Sequence, residues 1–211
     1  MKKALIVWGG WEGHEPEDVA KILATALCDE GFEVEVSDTL AAFEDEEKLK
    51  GLDLIVPEWT MGEITAEQLS PVLAAVESGV GIAGLHGGMG DAFRQSTQWQ
   101  FMVGGQWVAH PGGADVTYTV EITSRHAIVD GIDDFEVTSE QYYMHVDPNN
   151  DVLAVTYFQK YGTAPVPVVW KRTWGQGRVF YSSLGHNAEV AAQEEPLEIM
   201  TRGMKWAARA L

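Results

Sequence analysis

The chain carries six histidines in 211 residues, and three of them stand beside glycine where an apolar run stops. His14 follows Gly9-Gly10-Trp11-Glu12-Gly13, His86 sits in Val80-Gly81-Ile82-Ala83-Gly84-Leu85-His86-Gly87-Gly88, and His186 sits in Gly185-His186-Asn187. An apolar run that ends in a residue flanked by glycine reads as a buried strand feeding a tight turn, which lifts one side chain above the sheet edge. An imidazole held there suits acid/base work or metal ligation. His14 precedes Glu15-Pro16 at an expected helix start, where the positive end of the helix dipole disfavours imidazolium, as a base or a ligand requires. The plain structural alternative is a loop histidine bonded to backbone at His14 and a satisfied turn histidine at His86.

A second concentration is Glu140-Gln141-Tyr142-Tyr143-Met144-His145. In a strand Glu140 and Tyr142 would point one way and Gln141 and His145 the other, so Glu140 with Tyr142 is the favoured site-facing pair. An edge strand with aromatic packing competes with that reading. The candidate catalytic set is therefore His86, His14, Glu140 and His186. The candidate substrate contacts are Trp11, Trp59, Asp91, His110, Gln141 and Tyr142. His14, His86 and His186, with Glu140, also offer nitrogen and oxygen donors suited to zinc or another divalent ion. No His-x-His, His-Glu-x-x-His or EF-hand spacing occurs, so such a centre must be assembled from distant segments.

Gly9-Gly10 is no phosphate loop, because the Gly-x-Gly-x-x-Gly pattern is absent and Trp11 and Glu12 crowd the place of a pyrophosphate; a dinucleotide is excluded. Of eight tryptophans, Trp8, Trp11, Trp59, Trp107 and Trp174 fall at or near expected loops and strand ends. Aromatic faces beside carboxylates and amides suit a neutral polyhydroxylated ligand, since the rings cover C–H faces while polar groups take hydroxyls.

The elements that must position these residues alternate along the first half. A strand over Ala4 to Trp8 precedes a helix from about Glu15 to Glu30, ended by Gly31. Strands then follow over Phe32 to Ser37, with Phe32, Val34 and Val36 inward, and over Leu52 to Val56, closed by Pro57. The next helix begins either at a Thr65/Gln68 capping box or at Ser70-Pro71, and runs to about Ser78. After His86, Asp91 would cap a helix over Ala92 to Val103, broken by Gly104-Gly105. Such alternation implies a mainly parallel sheet with helices on its faces.

The second half changes character. Val116, Tyr118, Val120 and Ile122 alternate with polar neighbours as in a half-exposed strand, and Val166 to Lys171 with Arg178 to Ser182 read as an antiparallel hairpin. A closing helix from about Pro196 sets Leu197, Met200, Met204, Ala207 and Leu211 along one face. Glu44-Asp45-Glu46-Glu47 is a solvated helix start. With no linker or repeat, residues 1–211 read as one domain.

Fourteen lysines and arginines against 32 aspartates and glutamates give a formal net charge of -18, which opposes nucleic acid and anionic membranes. The single cysteine, Cys28, allows no intrachain disulfide or zinc–thiolate cluster and reads as a small core residue. The N-terminal apolar stretch is too short for a signal peptide, and no long apolar span occurs, which points to the cytoplasm.

The first strand with Gly13-His14-Glu15, the Gly84 to Gly88 run with Gly90-Asp91-Ala92-Phe93-Arg94, Gly104 to Gly113, Ser124-Arg125-His126-Ala127-Ile128, Glu140 to Tyr143 and Gly185-His186-Asn187 together resemble the ThuA-like (trehalose utilization) family. Its fold is that of the class I glutamine amidotransferases. The resemblance implies a flavodoxin-like sheet flanked by helices, a cleft around His86, and a link to disaccharide or keto-sugar catabolism. It also implies that His86 stands where an amidotransferase carries its cysteine, so glutamine hydrolysis through a thioester is not expected. The leading expectation is an enzyme acting on a small sugar by acid/base or metal-assisted steps. A non-catalytic sugar or metal binder and a structural subunit, including a homo-oligomer, are the other classes the residues allow.

Overall fold

Ala4, Leu5, Ile6 and Val7 are wholly buried, as a strand covered on both faces must be. In the computed structural model, which describes residues 1–162 and 164–211, they belong to β1 (Lys3–Gly10) of a nine-stranded sheet. β1 lies between β2 (Glu33–Ser37) and β3 (Leu54–Thr60), and β4 (Gly81–Leu85) and β11 (Gly177–Ser182) follow, all in parallel. From β11 the sheet continues antiparallel through β10 (Pro165–Trp174), β9 (Asp151–Tyr157), β6 (Val116–Ile122) and β7 (Phe135–Ser139). A separate ribbon pairs β5 (Gly105–Ala109) with β8 (Tyr143–Val146). The architecture is thus a mostly parallel α/β sheet flanked by helices with an antiparallel extension.

Side chains alternate across β1, so Ala4 and Ile6 join one core and Leu5 and Val7 the other. The first core lies under α1 (Pro16–Asp29) and α7 (Glu194–Ala207), through Val19, Leu23, Leu27, Ile199, Met200 and Met204. The second lies under α3 (Ala66–Ser78) and α5 (Thr97–Val103), through Leu69, Val72, Val76, Trp99 and Met102. No helix among the described residues is long and apolar enough to cross a membrane.

Several local expectations are corrected. Cys28 is exposed, because the buried stripe of α1 runs through Val19, Leu23 and Leu27 and the next residue falls about 100° round the helix. Val36 is 46% exposed, since β2 is the edge strand. Pro57 does not close its strand; β3 runs on to Thr60 with Pro57 opposite Val7. Pairing with β4 ends at Ile55 opposite Ile82, so no neighbour on that side needs the missing N–H. Thr65 and Gln68 form the capping box, and Pro71 lies inside α3. The helix expected from Ala92 begins at Thr97, capped by Ser96, whose hydroxyl accepts from Trp99 N. Asp91 instead pairs with Arg94. In α7 the buried set is Pro196, Ile199, Met200, Thr201, Gly203, Met204 and Ala207, while Leu197 is half-buried and Leu211 lies beyond the helix, 48% exposed.

Gly203 lets α7 lie directly on the ring of Phe180, which a Cβ at that position would overlap. Alanine would gain about 1 kcal/mol in helix propensity, but overpacking a rigid core costs about 1–3 kcal/mol. Gly203→Ala is therefore expected to lower the urea midpoint by the equivalent of up to about 2 kcal/mol. An unchanged or raised midpoint would mean that the Phe180 ring gives way.

Candidate functional site

β4 ends at Leu85, and the chain reverses at once into the short helix α4 (His86–Gly90). His86 takes φ +41°, in the left-handed region, a sharp strand-to-helix elbow that holds one side chain at the sheet edge. The Tyr181 hydroxyl donates to the His86 carbonyl at 2.9 Å and pins the turn. His86 Nδ1 lies 2.8 Å from the Ser183 carbonyl. That oxygen can only accept, so Nδ1 carries the proton and Nε2 of the neutral ring keeps a lone pair. Burial pushes His86 down to about 4 against the opposing pull of Glu140, so the ring is neutral at neutral pH. Nε2 nevertheless faces Glu140 Oε2 at 3.2 Å.

Two further rings converge on the same oxygen. His14, on a single turn after β1, is held by Thr60 Oγ1 at the end of β3, 2.8 Å from its Nδ1. Its Nε2 stands 3.7 Å from Glu140 Oε2. His186 Nδ1 stands 3.3 Å from that oxygen. Both nitrogens are buried with no hydrogen-bond partner among the described residues. One donor atom from each of His14, His86, Glu140 and His186 lies within 4.8 Å of the others. A tetrahedral ion with bonds of about 2.0–2.1 Å sets its ligands about 3.3–3.4 Å apart. The separations of 3.2, 3.3 and 3.7 Å bracket that spacing. Burial raises the Glu140 carboxyl, but the imidazoles of His14, His186 and His86 outweigh it and hold the group well below the usual carboxylate range. An ionised carboxylate, the lone pair of His86 Nε2 and two further unpartnered imidazole nitrogens make a donor set that fits a divalent cation.

The walls are aromatic. Tyr142 stacks on His86 at 3.8 Å between centroids, and Trp11, 45% exposed, meets the edge of His14 at 4.7 Å. His110 comes from the loop after β5, with Nδ1 3.6 Å from Glu140 Oε1 and the side chain 36% exposed. Trp107 lies beside it at 5.5 Å, under the guanidinium of Arg94.

The structure thus brings His14, His86, Glu140 and His186 together and sets His110, Tyr142 and Trp11 around them. The other predicted contacts face elsewhere. The Gln141 amide donates to Thr156 Oγ1 and the Tyr157 carbonyl, Asp91 holds Arg94 in a two-pronged pair, and Trp59 packs where Cβ atoms at Gly9 and Gly62 would stand. Residues 140–142 are irregular chain between β7 and β8, so Glu140 and Tyr142 share a side without a strand. His145 is an exposed position of β8, and His126 Nδ1 accepts from Ile128 N.

Sequence reading left Thr60, Ser183 and Glu58 without a role. Thr60 and Ser183 act through a hydroxyl and a carbonyl that no motif marks. Glu58 had a signal, its place at a strand end. It is 1% exposed and packs against Gly88, whose missing Cβ makes room for the carboxyl. Its Oε2 has no hydrogen-bond partner among the described residues, and burial drives the carboxyl well above its ordinary 4.5. The neighbouring Gly87 likewise leaves room for His14 and Thr60. The two glycines therefore seat α4 on these side chains.

The family model described as "ThuA: Trehalose utilisation" matches residues 3–207. No curated protein matches the chain significantly. Among solved structures, a ThuA-like protein of Parabacteroides merdae superposes with a TM-score of 0.79 at 19% identity, over 98% of this chain and 90% of that one. One of Bacteroides uniformis gives 0.78 at 18%, over 98% and 91%. A protein of Salmonella typhimurium described as cytoplasmic gives 0.69 at 13%, over 98% and 99%.

The Glu58 environment generates a pH prediction. Because its folded-state value is raised above 4.5, the native protein holds a proton that the unfolded chain releases. The resulting stability is present below pH 4.5 and is lost as pH rises toward the folded value, by up to about 1.4 kcal/mol per pH unit. Glu58→Gln removes this loss, so urea melts of the metal-free proteins should show the variant gaining on wild type between pH 4.5 and 7. A difference that stays constant over that range would mean that Glu58 is ionised in the fold.

Proposed function

We propose that this chain, which belongs to the ThuA family, is a sugar-processing enzyme that holds a divalent cation between His14, His86, His186 and Glu140. The proposed substrate is an uncharged disaccharide such as trehalose or its keto derivative, and the proposed setting is the cytoplasm. What supports the reading above all is the convergence of three imidazole nitrogens on Glu140 Oε2. A neutral His86 has no proton to offer that oxygen, and two more buried nitrogens lack partners beside it. The lone pair of His86 Nε2 facing the carboxylate oxygen is repelled by it unless a cation lies between them.

When bound, such an ion would act as a Lewis acid toward a sugar oxygen. The chain's own residues supply the rest. Ser183 and Thr60 fix the rings of His86 and His14 from behind, the usual way imidazole ligands are oriented. Tyr142, whose hydroxyl burial keeps protonated, holds the His86 ring by stacking. Trp11, half-exposed at the rim, offers its face to sugar C–H groups. His110, with Nδ1 buried toward Glu140 Oε1 and the rest of its side chain part-exposed, is the residue nearest the open side for taking or returning a substrate proton. For a keto sugar, removal of the proton beside the carbonyl is easier than direct glycosidic cleavage. Thioester chemistry has no nucleophile, because His86 occupies the elbow and Cys28 lies on the outer side of α1.

Elemental mass spectrometry should find about one zinc, manganese or iron per chain in purified protein, with at least a tenfold loss of affinity in His14→Ala, His86→Ala and His186→Ala. The metal-loaded enzyme should convert a member of a panel of disaccharides and keto-disaccharides, and His86→Ala should abolish turnover while retaining sugar affinity. A folded protein that takes up no metal and leaves the panel unchanged would overturn the reading. A wild type that binds sugar without turnover, and binds it more weakly after His86→Ala, would mark a non-catalytic receptor.

A further inference from the structure

Glu140 supplies the oxygen on which three imidazoles converge, yet no strand holds it. β7 ends at Ser139 and β8 begins at Tyr143, and no backbone–backbone hydrogen bond among the described residues involves residues 140–142. A strand residue is fixed by its ladder, and this segment has none. A binding group must stay within roughly 0.5 Å of its productive position, so other contacts have to aim the carboxylate.

Side-chain bonds take the ladder's place. Gln141 turns into the antiparallel extension, where its buried amide donates to Thr156 Oγ1 at 2.8 Å and to the Tyr157 carbonyl at 3.2 Å. Thr156 is 1% exposed, and its hydroxyl donates to the Thr119 carbonyl at 2.9 Å. With its one proton given to Thr119, Oγ1 meets Gln141 as an acceptor. The Gln141 nitrogen therefore sits between two oxygens, and a flipped amide would set its own oxygen against the Tyr157 carbonyl. At the preceding residue the Tyr118 hydroxyl donates to the Glu140 carbonyl at 3.4 Å, a longer and weaker contact.

These groups come from two neighbouring strands. β6 and β9 pair at Glu121 with Val155 and at Ile122 with Ala154. Tyr118 and Thr119 on β6, and Thr156 and Tyr157 on β9, lie just beyond those pairs. Neither strand carries a histidine of the cluster.

We propose that Gln141 and Thr156, with Tyr118 in a lesser part, are positioning residues that aim Glu140 Oε2 at the cation, so that the antiparallel extension is the frame of the metal's carboxylate. The assignment rests on the reading of His14, His86, His186 and Glu140 as a cation site. It adds that the fourth donor is set from strands that supply none of the other three.

The test is the zinc dissociation constant of the full chain, measured by competition with a chromophoric chelator. Gln141→Met keeps the side-chain length without the amide, Thr156→Val keeps the shape without the hydroxyl, and Thr156→Ser keeps the hydroxyl. Gln141→Met and Thr156→Val should each weaken zinc about tenfold, the lower end for a partner that orients a metal ligand. Tyr118→Phe should weaken it about threefold, as suits a long hydrogen bond. The Gln141→Met/Thr156→Val double variant should also lose about tenfold, because both changes remove the same bond. Thr156→Ser should restore wild-type affinity. Thr117→Val, which removes an exposed hydroxyl of β6 paired with Thr138, should leave zinc unchanged. If Thr156→Val does not fold, the Gln141→Met loss decides. Wild-type affinity in Gln141→Met, single losses that multiply in the double variant, or a Thr156→Ser as weak as Thr156→Val would overturn the positioning role and leave the cation reading standing. A folded wild type that takes up no zinc would overturn that reading and the positioning role with it.

Discussion

The rest of the site depends on one oxygen. Glu140 Oε2 is approached by nitrogens of His86, His186 and His14 at 3.2, 3.3 and 3.7 Å, in a place from which water is largely excluded. In such surroundings an ionised carboxylate is costly unless positive charge compensates it. The imidazoles of His14, His186 and His86 hold the carboxyl low, while burial drives His86 itself toward neutrality. The proposed divalent cation would resolve the conflict by attracting the carboxylate and the ring nitrogens at once. The outer contacts agree with that assignment, since Thr60 and Ser183 hold His14 and His86 by the ring nitrogen turned away from Glu140.

Bringing four donors together from four segments constrains the backbone more than the side chains. β4 must stop abruptly, and His86 must accept a left-handed conformation at the elbow. α4 must then lie so close to the end of β3 that consecutive positions, Gly87 and Gly88, have no room for a Cβ against His14, Thr60 and Glu58. The early end of β3–β4 pairing at Ile82 lets β3, still paired with β1, carry Glu58 and Thr60 past the end of that pairing. Glycine here is a packing requirement of the site.

Periodicity carried much of the fold. Apolar runs marked the buried strands, the Thr65/Gln68 pair was one of two starts offered for α3, and the polar alternation after Asp115 marked the strand with an open face. Boundaries failed where a tertiary contact overrode a local signal. Pro57 looked like a stop but pairs with β1 where no second neighbour needs its N–H. Asp91 looked like a cap but is held by Arg94. Cys28 looked apolar enough for the core but falls one step round α1 from its buried stripe. The convergence of His14, His86 and His186 was legible as residues at strand ends, because sheet topology gathers such ends at one edge, and Glu140 as the carboxylate of a polar and aromatic run. The separation of Gln141 from Glu140 was not, since the 140–142 segment is irregular and its side-chain directions are set by Thr156 and Tyr157.

The most direct test of the central claim is X-ray absorption spectroscopy of the protein loaded with one equivalent of zinc. Convergence on Glu140 predicts a first shell with about three imidazole nitrogens near 2.0–2.1 Å and oxygen completing the set. A hydrated ion with no imidazole scattering, or a sulfur near 2.3 Å from Cys28, would contradict it and return the histidines to a purely structural role.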